Sequence, residues 1–315
     1  MTNISSHTVF ELSCFLELGH LRPLLFLPFS LFYFLSVGAN VLLLYVVVRQ
    51  RMACVDGLHP LLILSPILLS FVGGWTQVSV GMCLQQMFVV HLLGTFQSTI
   101  LLWMALDRCL ALVFPLRYSE RMAGRVLLAV AVPLVLRNVV LVSGLVVLAS
   151  RLHFCDQLVR NCFCEHMAVV RLACGDTSLN SALGLLTIGL IPVLDFILIT
   201  TSYVVVLATA MRGRVVTKAT NTVVTHIIVM LTSLTVIMVA FISYRVQHKL
   251  PHTARLLCSI LYLFLPSTIN PLAFGIRTQE IRKHILHLLR PVDSVYYCNM
   301  SPSKPQYPGQ VHVYR

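Results

Sequence analysis

Met104 to Tyr118, reading MALDRCLALVFPLRY, sets Asp107 beside Arg108 at the end of a long apolar run and ahead of a proline and basic loop. An ion pair at that depth is expensive unless it lies at a membrane boundary and has a task there. The chemistry open to it is switching, by pairing and release of a charge. Arg137 and Asp195 also lie inside apolar runs. Intramembrane charges are functional candidates by default, and for these two structural pairing with neighbouring helices is the favoured reading. Bond-making chemistry finds no support. The 12 histidines are scattered, no Ser-His-Asp set shares one side of the chain, and no glycine loop could cradle a phosphate.

The elements that must position these groups follow from composition. The chain has 315 residues, 57% hydrophobic and 11% charged, with mean hydropathy +0.86. A soluble domain carries about 25% charged residues, so much of this surface must face lipid. Apolar runs predict seven helices at 24–48, 58–76, 81–112, 123–149, 179–211, 216–245 and 254–276, each near the ~20 residues that span the hydrocarbon. Pro60, Pro66, Gly73 and Gly74 interrupt the second run, Pro133 the fourth, and Pro266 and Pro271 the seventh; neighbours in a membrane can re-satisfy the carbonyls so freed. The expected fold class is therefore all-α, a seven-helix membrane bundle.

The net charge of +12 does not mark a nucleic-acid surface. Arg49 and Arg51 follow run one; Arg117, Arg121 and Arg125 follow run three; Arg212, Arg214 and Lys218 follow run five; Arg277, Arg282, Lys283 and Arg290 follow run seven. Basic odd-to-even connections place those loops in the cytoplasm and the N-terminus outside, at the plasma membrane. Arg151, Arg160, Arg171, Lys249 and Arg255 fall on the opposite side, in a long loop or at helix mouths, where the rule is weaker. Residues 1–23 are then extracellular and 24–276 form the bundle. Residues 277–290 read as an amphipathic helix on the inner lipid surface, and 291–315 as a disordered tail. Asn3 opens a glycosylation sequon on the outer side. With no basic n-region ahead of it, the first run is expected to be the targeting signal itself.

The same residues resemble vertebrate odorant receptors, within the rhodopsin-like G-protein-coupled receptors, over most of residues 3–290. The third run keeps Met104, Ala105, Asp107, Arg108, Ala111, Pro115, Leu116, Arg117 and Tyr118 of that signature. KATNTVVTH keeps Lys218, Ala219, Thr222 and His226, and LPSTINPLAFGIRTQEIR keeps Pro266, Asn270, Pro271, Gly275 and Arg277. The loop FCEHMAVVRLAC, Leu136-Arg137 and Asp195 resemble the fish-like, class I branch. Departures stand at Leu106 and Cys109, where the family has tyrosines, at Phe274, at Leu61 and Leu62, and at Val72. The family's acidic residue at this last position helps hold a sodium ion; a valine cannot.

The resemblance implies Cys83–Cys164, tying run three to the second outer loop, and Cys155–Cys174 within that loop, each restraint contributing ~2–4 kcal/mol. Cys162 offers a competing partner, and Cys14 is also outside. Zinc held by Cys162, Cys164 and His166 is the alternative, but an oxidising compartment favours bridges. Cys54, Cys109 and Cys298 face the reducing side, Cys298 as a possible acylation site, and Cys258 reads as helix packing.

A ligand site is expected in the outer half of the bundle. Arg245, ending run six, matches a basic position of the class I branch and could clasp a carboxylate in two bonds, or else snorkel to the headgroups. His91 lies about two turns below Cys83, and His166 follows Cys164 by two, so the implied bridge draws both imidazoles to one mouth. Leu92, Thr95, Leu183 and Ile242 would gauge chain length. For coupling, the resemblance implies Asp107 and Arg108 as the lock, Lys218 and His226 at the inner end of run six, and Asn270-Pro271 as a bend. The expected partners are a small odorant, a stimulatory olfactory-type heterotrimeric G-protein and membrane lipid, without cofactor or metal. Alternatives are a metabolite or peptide receptor, a receptor-like chain that couples poorly, and a transporter. The last is opposed by the lack of an inverted repeat.

Overall fold

The computed structural model of the chain describes residues 8–15, 19, 24–48, 76–114, 124–212, 216–246 and 250–277. The second apolar run up to residue 75 lies outside them, as do the expected surface helix beyond 277, the tail, Asn3 and Val72. The side chains of Arg108, Lys218, His226, Arg245, Asn270, Pro271 and Phe274 also fall outside the described set, although their backbones are helical.

The spanning elements begin with α1 (Phe26–Val48), α2 (Val80–Val113) and α3 (Gly124–Ser150). A short α4 (His166–Val170) follows in the long loop. Then α5 (Ser178–Ile188) runs through a π-helical turn (Gly189–Val193) into α6 (Leu194–Arg212), followed by α7 (Val216–Arg245) and α8 (His252–Arg277). Runs one, three, four, five, six and seven thus form helices within a few residues of the expected limits, because hydrocarbon thickness sets their length. Run five departs from one smooth helix. Pro192 has no N–H to give and its ring crowds the preceding turn, so the chain widens there.

Among the described residues, four helices are long and apolar enough to cross a membrane: Val80–Asp107, Leu128–Ser150, Ser178–Thr209 and Ile227–Tyr244. Their outer surfaces are hydrocarbon. Leu128, Val132, Leu136 and Val140 recur every four residues along one face of α3 and are 56–62% exposed, a continuous apolar stripe that water would penalise and lipid would not. Around the bundle α1 packs on α8, α8 on α7, α7 on α6, α6 on α2, α2 on α3, and α3 on α5. The α1–α8 seam is polar inside: buried Asn40 donates to the Ser36 and Ser267 carbonyls, both at 2.8 Å.

At one end the bundle is capped by a small sheet, a feature the helical periodicity gave no sign of. β1 (Val9–Leu12) lies between β2 (Gln77–Ser79) and β3 (Leu158–Val159), antiparallel to β2 with Phe10 opposite Val78, and parallel to β3 with Leu12 opposite Val159. β1 points Phe10 inward, fully buried and edge-on to Phe154 at 4.9 Å. Three disulfides fasten the cap: Cys83–Cys164, Cys155–Cys174 and Cys14–Cys162. The first two are the implied pairs, and the third accounts for both cysteines the sequence left open. No cluster of three metal-ligating side chains occurs among the described residues. Phe15, next to Cys14, sits in the left-handed region at φ 53° and is buried beside Phe29. A non-glycine residue holds that conformation only when its surroundings over-determine it, and here the adjacent disulfide and the aromatic contact do so.

Candidate functional site

Below the cap, α2, α6 and α7 line an open cleft. α2 presents Gly94, Ser98 and Leu101 at spacings of four and three, so they share a face, with Gln97 beside them. Pro192 of the π turn, Phe196 and Ile199 form the second wall, and Met230, Ser233, Leu234 and Ile237 of α7 the third. The lining is apolar with a few polar atoms, the usual make-up of a small-molecule site. Ser233 is 8% exposed, and its hydroxyl oxygen has no hydrogen-bond partner within the protein. Thr232 next to it bonds its own helix instead, to the Ile228 carbonyl at 2.8 Å. A buried hydroxyl without a partner is costly, and a ligand acceptor or donor in the cleft would relieve that cost. Gly94 permits the close approach of α8: a Cβ there would stand 2.7 Å from the Tyr262 hydroxyl.

Beside the cleft lies a charged network that ties three helices. Arg137 of α3 meets Asp195 of α6 with both arms, Nη1 to Oδ1 at 2.7 Å and Nη2 to Oδ2 at 3.1 Å. Nη1 also donates to the Leu190 carbonyl at 3.1 Å, within the π turn that Pro192 opens. Nη2 reaches Thr99 Oγ1 at 3.2 Å, and Asn138 Nδ2 donates to that hydroxyl at 2.8 Å. Ser98, a lining residue of the cleft, donates to Asp195 Oδ2 at 2.8 Å. The pair is two-pronged and both partners make further hydrogen bonds, the condition under which a buried ion pair holds. The intramembrane charges therefore pair structurally, and they pair with each other.

The sequence-derived ligand residues divide. His91 and His166 come together, ring centroids 6.5 Å apart and edge to face. His91 lies one turn from Gly94 toward the cap, continuing the lining face of α2. Its Nδ1 is 3.0 Å from the Met87 carbonyl; a carbonyl only accepts, so Nδ1 carries the proton and Nε2 of the neutral ring is the acceptor. Thr95 donates to the Leu92 carbonyl of its own helix at 2.8 Å. Leu183 packs toward Gly144 of α3, and Ile242 is 48% exposed on the bundle's surface; neither lines the cleft. Arg245 contributes only its helical backbone to the described structure. Asp107 is half-buried on α2, and the Arg108 side chain lies outside the described set, as do those of Lys218, His226, Asn270 and Pro271. Sequence reasoning passed over Gln97, Ser98 and Ser233. Their signal is a polar side chain on the inward face of an otherwise apolar run, visible only once that face is known.

Comparison with known proteins gives this arrangement its context. The model of the olfactory receptor family matches residues 29–291. Human olfactory receptor 52K1 is 32% identical over 289 residues, covering 87% of this chain and 92% of that protein. Human olfactory receptor 52K2 is 33% identical over 288 residues, covering 85% and 91%, and human olfactory receptor 56A5 is 30% identical over 307 residues, covering 92% and 98%. The chain therefore belongs to the olfactory receptor family, a multi-pass membrane protein built on that family's seven-transmembrane bundle.

Proposed function

We propose that the protein is an odorant receptor of the class I branch, which binds a small polar ligand, a carboxylic acid foremost, in the cleft between α2, α6 and α7. It would then activate a stimulatory, olfactory-type G-protein and raise cyclic AMP. The observation that carries this reading is the cleft itself: apolar walls around a buried Ser233 hydroxyl that no protein atom satisfies. His91 and His166 stand on its cap side, and Arg245, at the end of α7, is the proposed carboxylate clasp. Thr95, Leu183 and Ile242 act, if at all, through the helices that carry them. The three disulfides support an extracellular N-terminus, with glycosylation at Asn3, because such bonds persist in oxidising compartments and all three lie at the N-terminal end of the bundle.

A ligand activates by binding the active arrangement more tightly than the resting one. Asp107 and Arg108 form the lock that opens; Lys218 and His226 face the G-protein as α7 moves; Asn270-Pro271 supplies the bend in α8. Cells expressing the chain raise cyclic AMP when given a panel of short carboxylic acids, and Arg245→Ala abolishes the response while surface expression stays level. A silent panel would remove the carboxylic-acid reading, and an intact Arg245→Ala response would remove Arg245 from it.

A further inference from the structure

The capped end carries a second, open cleft, separate from the one between α2, α6 and α7. Asp156 and Arg160 come from the long loop, Arg171 from the end of α4, Tyr244 from the end of α7, and Arg255 from the first turn of α8. Arg160 is exposed, Arg171 half-buried, and Arg255 only 8% exposed, so the guanidiniums are set at three depths. The cleft is also a junction. Arg171 Nη2 donates to the Tyr244 carbonyl, and the Tyr244 hydroxyl lies 2.8 Å from Ser259 Oγ of α8.

Charge decides what such a place can hold. Guanidiniums do not lose their protons in proteins, so three positive charges persist at any physiological pH. Among the described residues that line the cleft, one acid, Asp156, stands with them; Glu165 lies at the start of α4, ahead of Arg171. Both acids are already engaged by backbone. Asp156 Oδ1 accepts from the amides of Gln157 at 2.7 Å and Leu158 at 3.2 Å, and Glu165 Oε2 caps α4 by accepting from Ala168 N at 2.8 Å. The described lining is thus predominantly basic, and its guanidiniums are planar forks that match the oxygens of a carboxylate or phosphate.

We propose that this cleft binds a small soluble oxyanion, a dicarboxylate or phosphate, apart from the ligand cleft in the bundle. Its occupant bridges the long loop to α7 and α8, and so biases the position of α7 without touching the cleft that Ser233 lines. The inference needs only the arrangement at the cap and stands whether or not the chain responds to odorants.

The test uses the full chain in nanodiscs of uncharged phosphatidylcholine, titrated with carbon-13 succinate and, separately, with inorganic phosphate. Binding is read from line broadening of the carbon-13 signals of succinate and the phosphorus-31 signal of phosphate, without any G-protein present. Arg160→Gln, at an exposed position, leaves thermal unfolding unchanged and weakens binding about ten-fold, the loss of one charge-assisted contact. Arg160→Gln with Arg171→Gln reduces binding below detection, and the two anions compete. A parallel set of discs containing phosphatidylglycerol separates the sources. Binding only in those discs, as headgroup contact, would overturn the soluble-anion site, as would no binding of either anion in neutral discs, or equal binding by the parent and the double variant.

Discussion

α2, α3 and α6 meet through a closed polar network, whereas below the cap the described part of α7 packs on α2 and α6 through hydrocarbon. On the first side Arg137, Asn138, Thr99, Ser98 and Asp195 satisfy one another in a geometry that a two-pronged ion pair fixes. On the second, Leu101, Leu102, Ile199, Val206, Val229 and Met230 form an apolar cluster, and Ser233 above it has no partner. Within lipid such apolar surfaces gain little from one another over lipid tails, so sliding them is cheap, while parting the charges is not. The difference fits the proposed activation: α2, α3 and α6 would form the frame, and α7 would be the element a ligand shifts. The described ties of α7 at the cap, through Arg171 and Ser259, hold its outer end.

The largest effect should come from breaking the frame. Asp195→Asn or Asp195→Ala strands the Arg137 guanidinium among helices, and removing one partner of a buried pair costs ~3–5 kcal/mol. Thermal unfolding of the receptor in discs should fall accordingly, whatever ligand is present. Replacing both, Arg137→Leu with Asp195→Leu, should recover most of that loss because no unmatched charge remains. A single variant within about 1 kcal/mol of the parent would mean that the pair is not what fixes the frame.

Next come the cap's staples. Cys162→Ser releases the N-terminal segment from the loop and should lower stability by ~2–4 kcal/mol. Faster amide exchange should appear at Val9–Leu12, because β1 is a four-residue strand held by its two neighbours. Cys14→Ser should give the same loss, and the double variant no further loss; additive losses would show that the two sulfurs are not partners. Gly94→Ala should cost ~1 kcal/mol by overpacking, since the new methyl meets the Tyr262 hydroxyl and that side chain must shift.

How much of this the residues announced depends on how local the cause is. Helix limits were legible because bilayer thickness sets the length of each apolar run; run six spans 216–245 in both readings. Arg137 and Asp195 were legible as a problem needing partners, because charge in hydrocarbon has few solutions. The cap was not. β1 is four residues long, and its pairing joins segments more than sixty positions apart, so no periodicity announces it. Six outer cysteines allow fifteen pairings, and spacing alone could not select Cys14–Cys162. Leu183 and Ile242 were expected to gauge chain length, but an aliphatic side chain in an apolar run does not announce its face; the observed faces turn toward α3 and outward.

The smallest effect on stability is also the sharpest test of the contrast, at Ser233. Serine in a membrane helix ordinarily bonds its own backbone, as Thr232 and Ser202 do here, and then removal changes little for any ligand. Ser233 lacks that bond, so Ser233→Ala deletes a hydroxyl the folded protein carries at a cost. Stability should hold or rise by up to ~1 kcal/mol, read as a higher unfolding temperature in ligand-free discs. The response should move the other way: the most potent acid in the cyclic AMP panel loses about ten-fold in potency, one hydrogen bond's worth. Thr232→Ala, one position along, should leave potency unchanged. Opposite signs for stability and potency identify a polar atom kept for a ligand on the α7 wall of the cleft. A drop in both would instead make Ser233 a structural residue and place the ligand's polar contact on the α2 side, at Gln97 or Ser98.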